Sequence, residues 1–204
     1  MAEIKTIFWD IGGVLLTNGW DEQQRARVLP TFGLDVAEYE SRHEAANYKW
    51  ERGLCTAREY FDQTVFYQPR NFTFEQLWSA VQAQSIVLHP GCFEILDSQA
   101  AYGIYVLATL NNESRELNAV RIEKFGLRDY FEFFICSGYI NEMKPHPDIF
   151  RAALEIGGCV PQQTLFIDDR ESNTTAAIAA GMNAIHFESP EQLKAALTNF
   201  GIQT

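Results

Sequence analysis

The chain has 204 residues, of which 47% are hydrophobic, and its formal net charge is −11. This hydrophobic fraction excludes an extensively disordered protein, and the length suits one core with or without a small accessory domain. The negative charge argues against nucleic acid as a partner, because a phosphate backbone would repel the protein.

The first predicted strand covers residues 4–9, a short apolar run that ends at Asp10. No convincing strand follows between residues 17 and 89. Four amphipathic patterns there predict helices over residues 21–29, 36–51, 56–66 and 74–84. We therefore expect a small all-helical cap at residues 17–89, inserted after the first strand. Residues 1–16 and 90–204 would then form the core domain.

Strands and helices alternate through the rest of the chain. Apolar, β-branched and aromatic runs predict strands over residues 103–110, 131–136, 164–167 and 183–187. Helical spacing predicts helices over residues 92–101, 115–125, 147–156, 174–180 and 190–200. This alternation predicts an α/β fold with a Rossmann-like open parallel sheet flanked by helices.

Charged residues interrupt every long apolar run, so no membrane-spanning segment and no membrane partner are expected. The N-terminal apolar stretch is too short for a signal peptide, which predicts a cytoplasmic protein. The four cysteines form no Cys-x-x-Cys pair, which in that compartment predicts reduced thiols. No histidine stands at zinc-ligand spacing.

Reactive side chains follow the predicted strands at their carboxyl ends, where open α/β sheets bind ligands. Asp10 follows the first strand, Asn111 the second, and Asp168 and Asp169 the fourth, while Lys144 follows the third by a short loop. Carboxylates gathered at one point repel each other unless a cation lies among them, and their hard oxygens suit magnesium. A lysine can neutralise a phosphoryl group. Together these residues predict phosphoryl transfer through an aspartyl-phosphate.

Each of these residues alone has a simpler structural explanation. An aspartate before two glycines often forms a turn, paired aspartates favour a helix N-terminus, and most lysines are solvated. The catalytic interpretation depends on finding all of them in this order at successive strand ends.

Three segments, residues 8–15, 143–150 and 165–182, resemble the conserved motifs of the haloacid dehalogenase superfamily. The resemblance covers essentially the whole chain and indicates the branch with a helical cap. It implies that Asp10 is the nucleophile and that Asp10, the backbone carbonyl of Gly12 and Asp169 hold Mg²⁺. It further implies that Asp168 supports this site and that Lys144 bridges Asp10 and the phosphate.

The chain departs from the pattern of these phosphatases at two places. Most of them carry an acid–base aspartate two residues after the nucleophile, where this chain has Gly12. A missing general acid typically costs ~10²–10⁴ in rate, although a resembling subgroup active on sugar phosphates also has glycine there. Asp21 and Glu22 are candidate substitutes.

The second departure concerns the phosphate ligand after the second strand. The family has serine or threonine before an asparagine, whereas this chain has Leu110 before Asn111. Either Thr109 takes that place through a shifted strand end, or Asn111 and backbone amides contact the phosphate.

The favoured function is a magnesium-dependent phosphatase of small phosphorylated metabolites, with sugar 1-phosphates among the candidates. Without an acid at position 12, substrates with good leaving groups should be preferred. Two alternatives remain open: a non-catalytic or weakly active binding protein with this fold, and a metal-free 2-haloacid dehalogenase. The second is less favoured, because Asp168 and Asp169 look like a metal pair.

Overall fold

The computed structural model describes residues 2–203, which form one five-stranded sheet with helices around it. All four pairs of neighbouring strands are parallel, in the order β3-β2-β1-β4-β5. The strands are β1 (Thr6–Trp9), β2 (Val106–Asn111), β3 (Phe133–Cys136), β4 (Thr164–Asp168) and β5 (Asn183–His186). The predicted α/β fold with an open parallel sheet is confirmed.

Four helices lie between β1 and β2 ahead of the crossover helix α5, and the others alternate with the later strands. The helices are α1 (Glu22–Val28), α2 (Val36–Glu51), α3 (Ala57–Thr64), α4 (Phe74–Ala83), α5 (Pro90–Tyr102), α6 (Arg115–Lys124), α7 (Ser137–Ile140), α8 (Pro147–Gly157), α9 (Glu171–Ala179) and α10 (Pro190–Asn199). Within residues 2–203, none of them is both long and apolar enough to cross a membrane.

The sheet separates two hydrophobic clusters, because successive side chains of a strand point to opposite faces. On β1, Ile7 and Trp9 belong to one cluster, and Phe8 belongs to the other. The helices α1 to α4 enclose a third cluster of their own, in which Trp50 stacks on Tyr60 with ring centroids 4.4 Å apart. The predicted helical insertion thus has a separate core, while its domain limits at residues 17 and 89 stay a prediction.

The predicted start of the second strand at Gly103 is wrong. Helix α5 continues to Tyr102, and Gly103 follows it as a left-handed C-cap with φ 61°. A glycine in this conformation ends helices readily, because it has no Cβ to clash. Strand β2 begins only at Val106 and extends one residue beyond the prediction, to Asn111.

The two ends of the insertion lie side by side, where the chain leaves the core and returns to it. The Thr17 amide donates a hydrogen bond to the Ile86 carbonyl, and the Leu88 amide donates to the Leu15 carbonyl, each at 3.0 Å. The Thr17 hydroxyl donates to the Gln84 carbonyl at 2.7 Å. These bonds define the junction between the core and the insertion.

Candidate active site

Asp10, Lys144 and Asp168 meet at the carboxyl end of the central strands. Asp10 directly follows β1, and Asp168 is the last residue of the neighbouring β4. The Lys144 ammonium lies 3.0 Å from Asp10 Oδ1 and 2.7 Å from Asp168 Oδ2, and it donates to the Leu110 carbonyl at 2.8 Å. All three side chains are buried. Sheet topology therefore brings together residues that are far apart in the sequence.

Asn112 and Asn173 hold this arrangement in place. The Asn112 side chain accepts a hydrogen bond from the Lys144 amide at 2.8 Å and donates to the Lys144 carbonyl at 2.9 Å. The Asn173 amide group donates to both Asp168 oxygens, at 3.0 and 3.1 Å. Both Asp168 oxygens are thus engaged, and Oδ2 also accepts from the Lys144 ammonium.

Asp169 completes a cluster of three carboxylates with Asp10 and Asp168. One oxygen of each lies within 4.8 Å of the others. The Asp169 Oδ1 atom is buried and lacks a hydrogen-bond partner, and a Cβ on Gly13 would lie 2.2 Å from Asp169 Oδ2. A buried carboxylate oxygen with no donor and this all-oxygen set fit a hard divalent cation such as magnesium.

Burial and the neighbouring charges shift the pKa values of Asp10, Asp169 and Lys144. Burial raises the pKa of Asp10, with Lys144 opposing the shift and Asp168 and Asp169 adding to it. Burial and repulsion from Asp168 raise the pKa of Asp169. Burial would lower the pKa of Lys144, but Asp10 and Asp168 outweigh it, so the pKa rises and the ammonium stays charged. A divalent cation at this point would favour the ionised carboxylates.

Thr109 and Asn111 were expected to contact a phosphate, and their contacts in the structure do not test this role. Thr109 pairs with Trp9 in the sheet, and its hydroxyl is buried with no hydrogen-bond partner. The Asn111 amide group donates to Asn118 Oδ1 at 3.1 Å, and its own oxygen has no partner. The Leu110 side chain packs in the hydrophobic cluster that contains Phe8. The phosphate-binding roles of Thr109 and Asn111 stay predictions, as does metal binding by the Gly12 carbonyl.

A buried ion pair supports the junction next to this site. Arg121 lies 3.4 Å from Glu113 and donates to Ser85 Oγ at 3.1 Å and to the Thr17 carbonyl. Glu113 Oε2 packs against Gly19, where a Cβ would lie only 2.0 Å away. Helix α6 thereby fixes both connections of the insertion to the core.

The Glu113 carboxyl gives a pH-dependent contribution to stability. Burial raises its pKa from 4.5 to about 7, although Arg121 opposes the shift. The native state then binds more protons than the unfolded state between these values, so stability falls as the pH rises through this range. Glu113→Gln should remove this fall, which amounts to about 3 kcal/mol. Urea unfolding of both proteins from pH 4.5 to 7.5 measures the difference.

The matched control is Glu123→Gln, on an exposed position of the same helix α6. Its unfolding free energy should follow the wild type at every pH. Parallel curves for wild type and Glu113→Gln would show that Glu113 is ionised throughout.

Comparison with known proteins identifies the family. A family model of haloacid dehalogenase-like hydrolases matches residues 4–181. The chain belongs to this family. Asp10, Lys144, Asp168 and Asp169 all fall within the matched segment.

Named relatives of this haloacid dehalogenase-like hydrolase include two enzymes for phosphorylated compounds. It is 28% identical over 172 residues to a flavin mononucleotide hydrolase of Arabidopsis thaliana, with 84% of this chain and 69% of the relative covered. It is 34% identical over 109 residues to a pyrimidine 5'-nucleotidase of Escherichia coli, with 50% of this chain and 48% of the relative covered. The chain thus matches about half of the nucleotidase.

A solved structure covers nearly all of this haloacid dehalogenase-like hydrolase. It is a variant of a HAD family enzyme of Bacteroides thetaiotaomicron in complex with magnesium and inorganic phosphate. The TM-score is 0.76 at 25% sequence identity, with 91% of this chain and 95% of that chain covered.

Sequence reasoning about this haloacid dehalogenase-like hydrolase missed two groups that shape the site. Asn18 approaches Gly12 across the loop, and Arg121 is buried against Glu113. Arginine is rarely buried without a partner, and a glutamate eight positions earlier offers no helical spacing to signal the pair. Of the two asparagines that support the site, Asn112 stands two residues after the predicted strand over residues 103–110, and Asn173 lies within the segment 165–182 that resembles a motif of the family.

Proposed function

We propose that this protein is a magnesium-dependent phosphatase of small phosphorylated metabolites, with Asp10 as the nucleophile. The observation that carries the proposal is the buried ion pair between Lys144 and Asp10, with Asp168 and Asp169 beside it. The named relatives and the neighbour with magnesium and phosphate support the same class of substrate.

The reaction would proceed in two displacements at phosphorus. An Asp10 oxygen attacks the phosphorus, the bond from phosphorus to the ester oxygen breaks, and the leaving group departs with that electron pair. Water then attacks the aspartyl-phosphate, which releases inorganic phosphate and restores the carboxylate. Lys144 holds Asp10 in position and places a positive charge beside the transferring group.

Magnesium, held by Asp10 and Asp169 with Asp168 in support, would offset the negative charge of the phosphoryl group and of the carboxylates. The orphaned Asp169 oxygen supports this assignment, because a cation would satisfy it. A metal-free dehalogenase gains nothing from a third carboxylate at this point, so the cluster favours the phosphatase over that alternative.

We expect activity to depend on magnesium and on the leaving group. Gly12 supplies no acid, so the ester oxygen must depart with little help from a proton. Turnover should therefore be fastest for aryl phosphates, acyl phosphates and sugar 1-phosphates, and slower for alkyl phosphates. Phosphate release from p-nitrophenyl phosphate, glucose 1-phosphate, acetyl phosphate and glycerol 3-phosphate, with magnesium or with EDTA, tests both points.

Equal rates on the alkyl and sugar 1-phosphates would refute the preference. Full activity in EDTA would contradict the metal site, and chloride release from a 2-haloacid under those conditions would establish the dehalogenase instead. No activity on any compound would favour the binding-protein alternative.

A further inference from the structure

A side chain at position 12 would first meet a neighbouring side chain, and the backbone conformation of Gly12 would not prevent it. Its φ lies outside the left-handed region that Gly13 occupies at 79°, so an ordinary residue could adopt its conformation. A Cβ at position 12 would, however, lie 2.9 Å from Asn18 Oδ1 and 3.5 Å from Asn18 Cα. The Asn18 carboxamide therefore fills the space into which a side chain at position 12 would project.

Contacts on both sides hold the backbone of Asn18 in place. The Asn18 backbone carbonyl accepts a hydrogen bond from the Gln24 side chain, and the Asn18 side-chain nitrogen lies 3.5 Å from Asp21 Oδ2. The next residue, Gly19, packs directly on Glu113. Because the Asn18 backbone carbonyl and the following Gly19 are both held, the backbone has little freedom to move the Asn18 side chain away from Gly12.

Neither carboxyl group predicted as a substitute acid takes this place. Asp21 is the N-cap of α1, where its Oδ1 accepts a hydrogen bond from the Gln24 amide at 2.9 Å while Oδ2 faces Asn18. Glu22 is exposed on α1. Asp21 thus faces the Asn18 amide nitrogen, and the side chain that a Cβ at position 12 would meet first is a neutral carboxamide.

We propose that Asn18 occupies the acid–base position of this site as a neutral amide and thereby restricts the enzyme to substrates with good leaving groups. The inference rests on the proposed phosphatase function. The carboxamide presents its Oδ1 to position 12 while its amide nitrogen faces Asp21, and it has no proton to transfer to the departing oxygen. The oxygen keeps the electron pair of the broken bond and takes its proton from water afterwards. Asn18 is thus a specificity-determining residue.

Asn18→Asp tests the proposal, because it places a carboxyl group of the same shape at this position. The ratio of kcat/KM for glycerol 3-phosphate to that for p-nitrophenyl phosphate should rise by about 10-fold or more, since a general acid contributes ~10²–10⁴ where the leaving group is poor. This gain should disappear as the pH rises and the new carboxyl ionises. Asn18→Ala, the matched control, should show neither effect. Equal ratios in the two variants would overturn the proposal.

Thermal unfolding of Gly12→Ala, Asn18→Ala and the double variant tests the same placement without any turnover. Gly12→Ala should lower the Tm by roughly 2–4 °C when Asn18 is present, and by less when it is alanine, because the overlap is gone. An equal loss in both backgrounds would show that Asn18 does not fill position 12. If the wild type proved inactive, the proposed function would fail, and this cycle would still decide the placement.

Discussion

Asp10→Asn should lower phosphatase activity by at least ~10⁴-fold while the protein stays folded. Removing a nucleophile leaves only binding and electrostatic effects on the rate. Asparagine has the same shape as aspartate, and the substitution removes a negative charge from the neighbourhood of Asp168 and Asp169. The Tm should therefore equal or exceed that of the wild type. Steady-state turnover of p-nitrophenyl phosphate with magnesium, together with thermal unfolding, measures both outcomes.

The control for Asp10→Asn is Asp62→Asn, at an exposed position of helix α3 in the insertion. Its kcat/KM should match the wild type. Trapping with radiolabelled substrate should label the wild type and leave Asp10→Asn unlabelled. Retained turnover in Asp10→Asn would rule out the aspartyl-phosphate mechanism.

Lys144→Met should destabilise the protein by about 3–5 kcal/mol at neutral pH, because it leaves buried carboxylates without their cation. The same substitution should remove most of the phosphatase activity. Lowering the pH should restore part of the lost stability, since burial and mutual repulsion raise the pKa values of Asp10 and Asp169 and protonation relieves both. Urea unfolding at pH 5 and pH 7.5 measures this recovery.

Added magnesium should also stabilise Lys144→Met more than it stabilises the wild type, because it supplies positive charge among the same carboxylates. Lys194→Met, an exposed position of α10, is the control and should unfold like the wild type at both pH values. A Lys144→Met protein as stable as the wild type would mean that the carboxylates at this site are not ionised.

The order of strands and helices could be predicted because buried parallel strands leave continuous apolar runs in the sequence. Element ends were less predictable. Residues 103–105 continue the apolar run of β2, yet Gly103 belongs to the end of α5, and Ile104 is exposed. Apolar character alone cannot separate a strand from the turn that leads into it.

The candidate site was predictable to the extent that its residues follow strand ends. Asp10 and Asp168 come together because their strands are neighbours, and a parallel sheet aligns their carboxyl ends. Asn18 reaches Gly12 only through the reversal of the chain at residues 11–17, where the amides of Leu15 and Leu16 bond back to the Ile11 carbonyl. No periodic pattern encodes such a reversal.

The junction of the insertion with the core has a consequence for how such chains can diversify. Two hydrogen bonds, from the Thr17 amide to Ile86 and from the Leu88 amide to Leu15, already join the two ends of the insertion. Closing a longer loop between joined ends costs only a logarithmic increase in entropy, so the insertion can change in size and sequence with little effect on the sheet. Asn18 lies at the junction itself. On the proposed function, discrimination between leaving groups would depend on the junction and recognition of the remaining substrate on the helices of the insertion, so the two properties can evolve separately.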